Sequence, residues 1–120
     1  MSSVWRKWRG DAARQMVRSV AVDMAAALGA AVERNAKRQL RKGRGVKTGA
    51  LRRDIRSEKP KAEGLVITVR VGAYMDYAPY VEFGHQSFKG YAFMQVGFYK
   101  AIRDDLPRLM REYGFKWRSR

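Results

Sequence analysis

From Ala12 to Leu40 the chain contains no proline. Apolar residues recur at Ala13, Val17, Val20, Met24, Leu28, Ala31 and Leu40, three or four apart until the last turns. That spacing lines up one face of an α-helix. Asp11 stands where it can cap the start, and Gly43 supplies a stop. Arg14, Arg18, Glu33, Arg34, Lys37 and Arg38 fall on the other faces. At 1.5 Å per residue such a helix is roughly 45 Å long, more than a small domain can cover. One end is therefore expected to project or to pack on a neighbour. The alanine-rich middle, Ala25 to Ala31 with Gly29 inside it, permits a sheet or a second helix to come close.

The remainder of the chain reads as a small sheet and further helices. Thr48 is placed to cap a short turn carrying Leu51 and Ile55. Leu65, Ile67, Val69 and Val71 alternate with Val66, Thr68 and Arg70, the period-two pattern of a half-buried strand. Lys61-Ala62-Glu63-Gly64 reads as a hairpin turn that pairs this strand with one around Ile55 to Lys59. Pro79 near a start and Gly84 at an end favour a short helix over Tyr77 to Gly84, capped by Asp76, although the same residues would suit an edge strand. A final helix runs from Tyr91, with Phe98, Ile102, Leu106, Leu109 and Tyr113 as its stripe and a kink at Pro107. The fold class expected is α+β: a long N-terminal helix packed on a small antiparallel sheet, a short helix, a C-terminal helix and extended basic termini. All of it forms a single domain over 1–120. Its parts are a Trp-bearing basic arm at 1–10, the long helix at 11–41 and a basic Gly-rich loop at 42–49. The sheet and short helix at 50–90, the C-terminal helix at 91–114 and a basic tail at 115–120 complete it.

Charge narrows the function. Lys and Arg number 26 against 11 Asp and Glu, a net charge of +15. The surplus is local: residues 34–61 hold 12 basic groups against Asp54 and Glu58. Such a balance calls for an acidic partner, whether nucleic acid, an anionic membrane or an acidic protein surface. Within it, Arg41-Lys42-Gly43-Arg44-Gly45-Val46-Lys47-Thr48-Gly49 combines three glycines with four cations, a mobile loop unless something anionic orders it. The absence of cysteine excludes disulfides, thiol nucleophiles and thiolate zinc sites. The N-terminus has charge but no apolar run behind it, and Val20 to Val32 is too short to span a bilayer, so a soluble protein is expected.

Catalysis finds little support. His85, three residues after Glu82, is a candidate base, but no nucleophile motif accompanies it, and a plain loop histidine is the simpler reading. Asp104-Asp105 suits a helix cap better than a cation site. Gly43-Arg44-Gly45-Val46-Lys47-Thr48 lacks the spacing of a phosphate-binding loop, leaving loose electrostatic contact with phosphates. No helix-turn-helix, zinc finger or RNA-binding sheet motif is present. No enzyme, metal or cofactor is expected. Trp5, Trp8 and Trp117, each beside Arg or Lys, fit first a protein interface, second stacking on nucleic acid and last a membrane surface.

Three stretches in order resemble a known family. Thr48-Gly49-Ala50-Leu51-Arg52-Arg53-Asp54-Ile55 resembles a T-G-x-L-[KR]-x-S-I opening. Val69-Arg70-Val71-Gly72, then Tyr77-Ala78-Pro79-Tyr80-Val81-Glu82-Phe83-Gly84-His85, resembles V-x-V-G followed by Y-A-x-x-V-E-F-G-T. Tyr91-Ala92-Phe93-Met94-Gln95-Val96-Gly97-Phe98 resembles a weakened R-P-F-[ML]-x-P-A-[LF]. Over about residues 12–113 the chain thus resembles the tail-component family of tailed phages typified by gene product ten of coliphage HK-ninety-seven. His85 stands in place of the usual threonine, Asp54 in place of serine and Val96-Gly97 in place of Pro-Ala.

The resemblance implies a structural virion protein of the head–tail junction, assembled in the bacterial host cytoplasm. It implies a homo-oligomeric ring bridging neck proteins (a stopper) and the tail terminator or tube, around packaged DNA, with no membrane partner. In that setting Arg34, Lys37, Arg38, Arg41, Lys42, Arg44, Lys47, Arg52 and Arg53 would face DNA or an acidic ring. Trp5, Trp8, Tyr80, Glu82, Phe83 and Trp117 would meet neighbouring subunits. Glu82 keeps two readings, an exposed carboxylate pairing with the next subunit or an acceptor for a local backbone donor. Tyr77, Tyr80 and Phe83 are expected mainly to pack on the sheet. The rival function is a small stand-alone nucleic-acid-binding protein without sequence specificity.

Overall fold

The computed structural model describes residues 3–42, 45–46, 49–64, 66–84 and 90–114, with side chains described from 12 onward and not over 41–48. Helix α1 runs over Ser3–Gln39, so the helix expected from Asp11 begins earlier and the N-terminal arm is helical rather than extended. The first residues hold no proline or glycine until Gly10, which leaves nothing to stop the helix from propagating backward. Two-residue strands β1 (Arg41–Lys42) and β2 (Gly45–Val46) form a short parallel ladder in the basic connector. Helix α2 (Ala50–Asp54) follows from Gly49, whose φ of 80° needs a residue without Cβ. It buries Leu51 and delivers Ile55 into the core.

The sheet is one interrupted hairpin. Strand β3 (Arg56–Ser57) pairs antiparallel with β6 (Val71–Gly72), and β4 (Lys61–Glu63) pairs antiparallel with β5 (Val66–Thr68). The expected turn at 61–64 is thus mostly strand, and the chain reverses at Gly64, φ 61°. The run from Glu58 to Lys61 is one residue longer than the facing run from Thr68 to Arg70. Pro60 falls inside that extra length, where it has no N–H to give to a ladder. The strand pattern holds at the described positions: Ile67, Val69 and Val71 are half-buried while Val66, Thr68 and Arg70 are exposed, and Leu65 lies outside the described residues.

Helix α3 (Ala78–Phe83) starts at Tyr77 with Pro79 in its first turn, and Asp76 does not cap it. Helix α4 (Phe93–Lys100) continues through a π turn (Ala101–Asp105) into α5 (Leu106–Glu112). Pro107 lies just beyond the π turn; its ring displaces the carbonyl four residues back and its nitrogen offers no proton, so the helix widens before it. The widening changes the buried stripe. Phe93, Gly97, Ala101 and Leu109 face inward, while Phe98 and Ile102 are exposed, contrary to the stripe expected for an unbroken α-helix. Extrapolating back from Leu109 at 3.6 residues per turn puts the inner face one residue late on the far side of the π turn.

The core lies under the C-terminal half of α1. Leu40, Ile55 and Phe93 are its largest fully buried side chains, joined by Ala36, Leu51 and Ala78, with Ala31, Val32 and Ala101 as a second cluster. Small residues allow α1 to be approached twice. A Cβ on Gly97 of α4 would lie 2.7 Å from the Ala36 nitrogen, and one on Gly29 would lie 2.8 Å from Cγ2 of Val69. Gly29 and Gly97 mark where α1 is approached; further towards its start, every residue from Ala12 to Ser19 is exposed, and the molecule extends 69 Å along its longest axis. By length and composition Ala12–Gln39 is apolar enough to cross a membrane, yet its C-terminal half forms one wall of the core.

Candidate functional site

The junction between α3 and α4 is built around Glu82, which is buried. Its Oε1 accepts the Met94 N–H at 2.9 Å, its Oε2 lies 3.1 Å from the same donor, and the Gln95 N–H reaches Oε1 at 3.4 Å. These are free donors of the first turn of α4, whose own cap position, Ala92, has no side-chain acceptor. A carboxylate there also meets the positive end of the helix dipole. The backbone completes the clamp, with Tyr91 N–H on the Val81 carbonyl at 2.7 Å and Ala92 N–H on the Glu82 carbonyl at 3.0 Å. Gly90, φ 80°, passes so close that a Cβ would sit 2.6 Å from the Glu82 carbonyl oxygen. Glu82 is therefore not an exposed carboxylate; of its two readings, the local backbone acceptor is the one the fold holds.

Other carboxylates also bind backbone or neighbouring side chains. Glu33 of α1 accepts the Ser57 N–H at 2.8 Å, fixing the hairpin to the helix. Asp54 accepts from the backbone of Tyr74 and, at 2.8 Å, of Met75. Asp105 accepts from the Asn35 amide at 2.9 Å, with Arg108 at 3.2 Å and Arg34 at 3.4 Å, and so ties the π turn to α1. Burial works against the Asp105 anion, but the Asn35, Arg108 and Arg34 donors outweigh it and hold the carboxyl below its ordinary range. With 26 Lys and Arg against 11 Asp and Glu, the acids are too few to neutralise the cations, and those above are directed at internal donors.

The basic residues singled out in the sequence divide accordingly. Arg34 reaches Asp105 and Lys37 reaches Glu33 at 3.4 Å, so both are partly engaged within the chain. Arg38, one turn beyond Arg34 on the outer face of α1, and Arg52 on α2 are exposed and make no ion pair among the described residues. Arg53 is exposed beside it. Arg41 and Lys42 lie in β1, so the connector brings them next to the end of α1. Arg44, Lys47, His85 and Trp117 lie outside the described residues, and Trp5 and Trp8 are within α1, three residues apart. Among the described residues no group of three acidic or histidine side chains converges on a cation position.

Part of the exposed surface is apolar; sequence reasoning points to Tyr80 and Phe83 in it as subunit contacts but misses Phe98, Tyr99 and Ile102. Tyr77, Tyr80 and Phe83 do not pack on the sheet; Phe83 is 80% exposed, because Ala78, Val81 and Glu82 form the inner side of α3. Phe98, Tyr99 and Ile102 are exposed on α4 and the π turn, and Met16 and Val17 on the free half of α1. An open groove of about 730 Å³ lies between Leu28 and Val32 of α1, Val69 and Val71 of the hairpin, and Met94 and Phe98 of α4. A second, of about 510 Å³, adjoins it at Met94 and Gln95 and runs to Pro79 and Phe83. Exposed aromatics on a helix whose inner phase is displaced by a π turn leave no distinct signal in the residue pattern.

No curated protein and no solved structure matches the chain. A family model described as "Bacteriophage HK97-gp10, putative tail-component" matches residues 7–84. That span begins in the free half of α1, crosses the basic connector and the hairpin, and ends on the Gly84 that closes α3; the weakened third block at 91–98 lies beyond it. The chain belongs to the HK97-gp10-like family of bacteriophage tail components.

Proposed function

We propose that the protein is a structural virion subunit of the head–tail junction, assembling as a ring between head-completion proteins and the tail terminator or tube. Membership of a tail-component family carries this reading. The N-terminal half of α1 supports it, because a helix exposed over residues 12–19 suits a subunit that completes itself on neighbours. The connector around Arg41 to Lys47, with Arg38 and Arg52 beside it, borders the DNA channel or an acidic neighbouring ring. Contact there is electrostatic, with phosphates or carboxylates rather than base edges, since the sequence carries no groove-reading motif.

The test is replacement of Arg41, Lys42, Arg44 and Lys47 together by serine in the phage. Virion yield or DNA retention should fall; an unchanged infectious titre would remove the connector from the function. A gel shift at two salt concentrations separates the rival. A stand-alone DNA binder holds duplex tightly as an isolated subunit with a steep salt slope, whereas the ring subunit binds weakly and elutes as an oligomer or with tail proteins.

A further inference from the structure

The free half of α1 and the groove beside α4 are complementary features of one chain. Ala13, Val17, Val20 and Met24 follow one another at spacings of four, three and four and so share a face of α1. Of that stripe Ala13 and Val17 are exposed, Val17 by 56%, and Met16 next to it by 70%. The groove offers the matching surface: Leu28, Val32, Val69, Val71, Met94 and Phe98 line it, with Glu58 and Arg70 on its rim. The two lie at different places on the molecule, and the helix leads away from its own groove, since Leu28 and Val32 are already in the groove wall.

Surface area argues for copies of this chain as the occupants. A folded monomer of 13.8 kDa is expected to expose roughly 6,600 Å². This molecule exposes 9381 Å², a surplus of about 2,800 Å² over that expectation. A standard interface removes about 800 Å² from each partner, so a subunit giving one patch and receiving another loses about 1,600 Å². The surplus accommodates both contacts. Because donor and acceptor patches differ, the contact is heterologous, and it makes the ring proposed above where its rotation closes around an axis.

We propose that the N-terminal half of α1 of one copy lays its Ala13–Val17–Val20–Met24 stripe in the groove between α1, the hairpin and α4 of the next copy. The inference rests on the ring assembly proposed above and names the surfaces that make it.

The chain has no cysteine, which allows directed cross-linking without background. Val17→Cys and Phe98→Cys change exposed positions and leave the fold intact. Mixing the two single variants under mild oxidation should give a heterodimer, and the double variant a ladder ending at the closed ring. Val17→Asp should weaken self-association at least tenfold with an unchanged circular dichroism spectrum. Rapid homodimers of Val17→Cys alone would overturn the proposal in favour of α1 pairing with itself. Oligomers by light scattering without any cross-link from 17 to 98 would overturn this contact and leave the ring standing. A monomer at every concentration tested would remove the ring as well.

Discussion

The carboxylate of Glu82 stands 2.9 Å from the backbone nitrogen of Met94, so a residue of one short helix supplies the cap that the next helix lacks. The Val-Glu-Phe-Gly segment and the Phe-Met start of α4 are thereby one structural unit. Replacing Glu82 by alanine leaves the Met94 and Gln95 donors without an acceptor in a buried place, which should cost about 1–3 kcal/mol. Glu82→Gln keeps one acceptor and should lose less. Urea denaturation of both variants checks the order, and equal losses would show that the start of α4 requires the negative charge or both oxygens rather than a single acceptor.

Gly97 is a close-approach glycine rather than a turn residue. Alanine is favoured over glycine in a helix interior by roughly 1 kcal/mol. Here its Cβ would meet the nitrogen, Cα and Cβ of Ala36 at 2.7 to 2.9 Å, and backbone does not yield cheaply. Gly97→Ala should therefore lower stability by about 1–3 kcal/mol, the range of an overpacked core. A thermal melt reads the sign directly, and a rise in Tm would mean that α4 can move away from α1 without loss.

Asp105 makes the stability depend on pH. Its folded carboxyl titrates below the ordinary value, since its hydrogen-bond partners favour the anion more than burial disfavours it. The unfolded chain binds the proton more readily, so the contribution is complete above the unfolded value of about 3.9 and fades as pH falls through the lower folded value. Asp105→Ala should be clearly less stable than the parent at pH 7, and the gap should narrow towards pH 3. Paired urea titrations at pH 7, 5 and 3 measure it; a gap independent of pH would assign the loss to packing.

Phe98 and Phe83 are large and exposed, and neither fills the core. Phe98→Ser and Phe83→Ser should each change the stability of the isolated subunit by no more than about 0.5 kcal/mol, as surface substitutions do. Phe98→Ser should nevertheless reduce self-association, because Phe98 lines the larger groove. Sedimentation beside a melt separates the two effects. A large drop in Tm with unchanged association would make Phe98 a residue of the fold alone.

Local pattern determined much of this protein. The proline-free, three-and-four spacing made α1 legible, the alternation of Ile67, Val69 and Val71 made the strand legible, and Pro79 with Gly84 marked α3. Each depends on neighbours a few residues away along one chain, where geometry is set by helix or strand period alone. The family resemblance was legible for the same reason, in short blocks at 48–55 and 69–85.

What only the tertiary structure decided were relationships between distant parts. Pro107 announced a break, but not that a π turn would rotate Phe98 and Ile102 outward. Glu82 carried the same charge in either of its readings, and only the position of the Met94 N–H chose between them. The free half of α1 and the groove along α4 likewise arise from how far the hairpin and α4 reach along a helix longer than both. Side-chain identity gives the capacity for a contact; which capacities are used depends on long-range packing and on the surface that packing leaves uncovered.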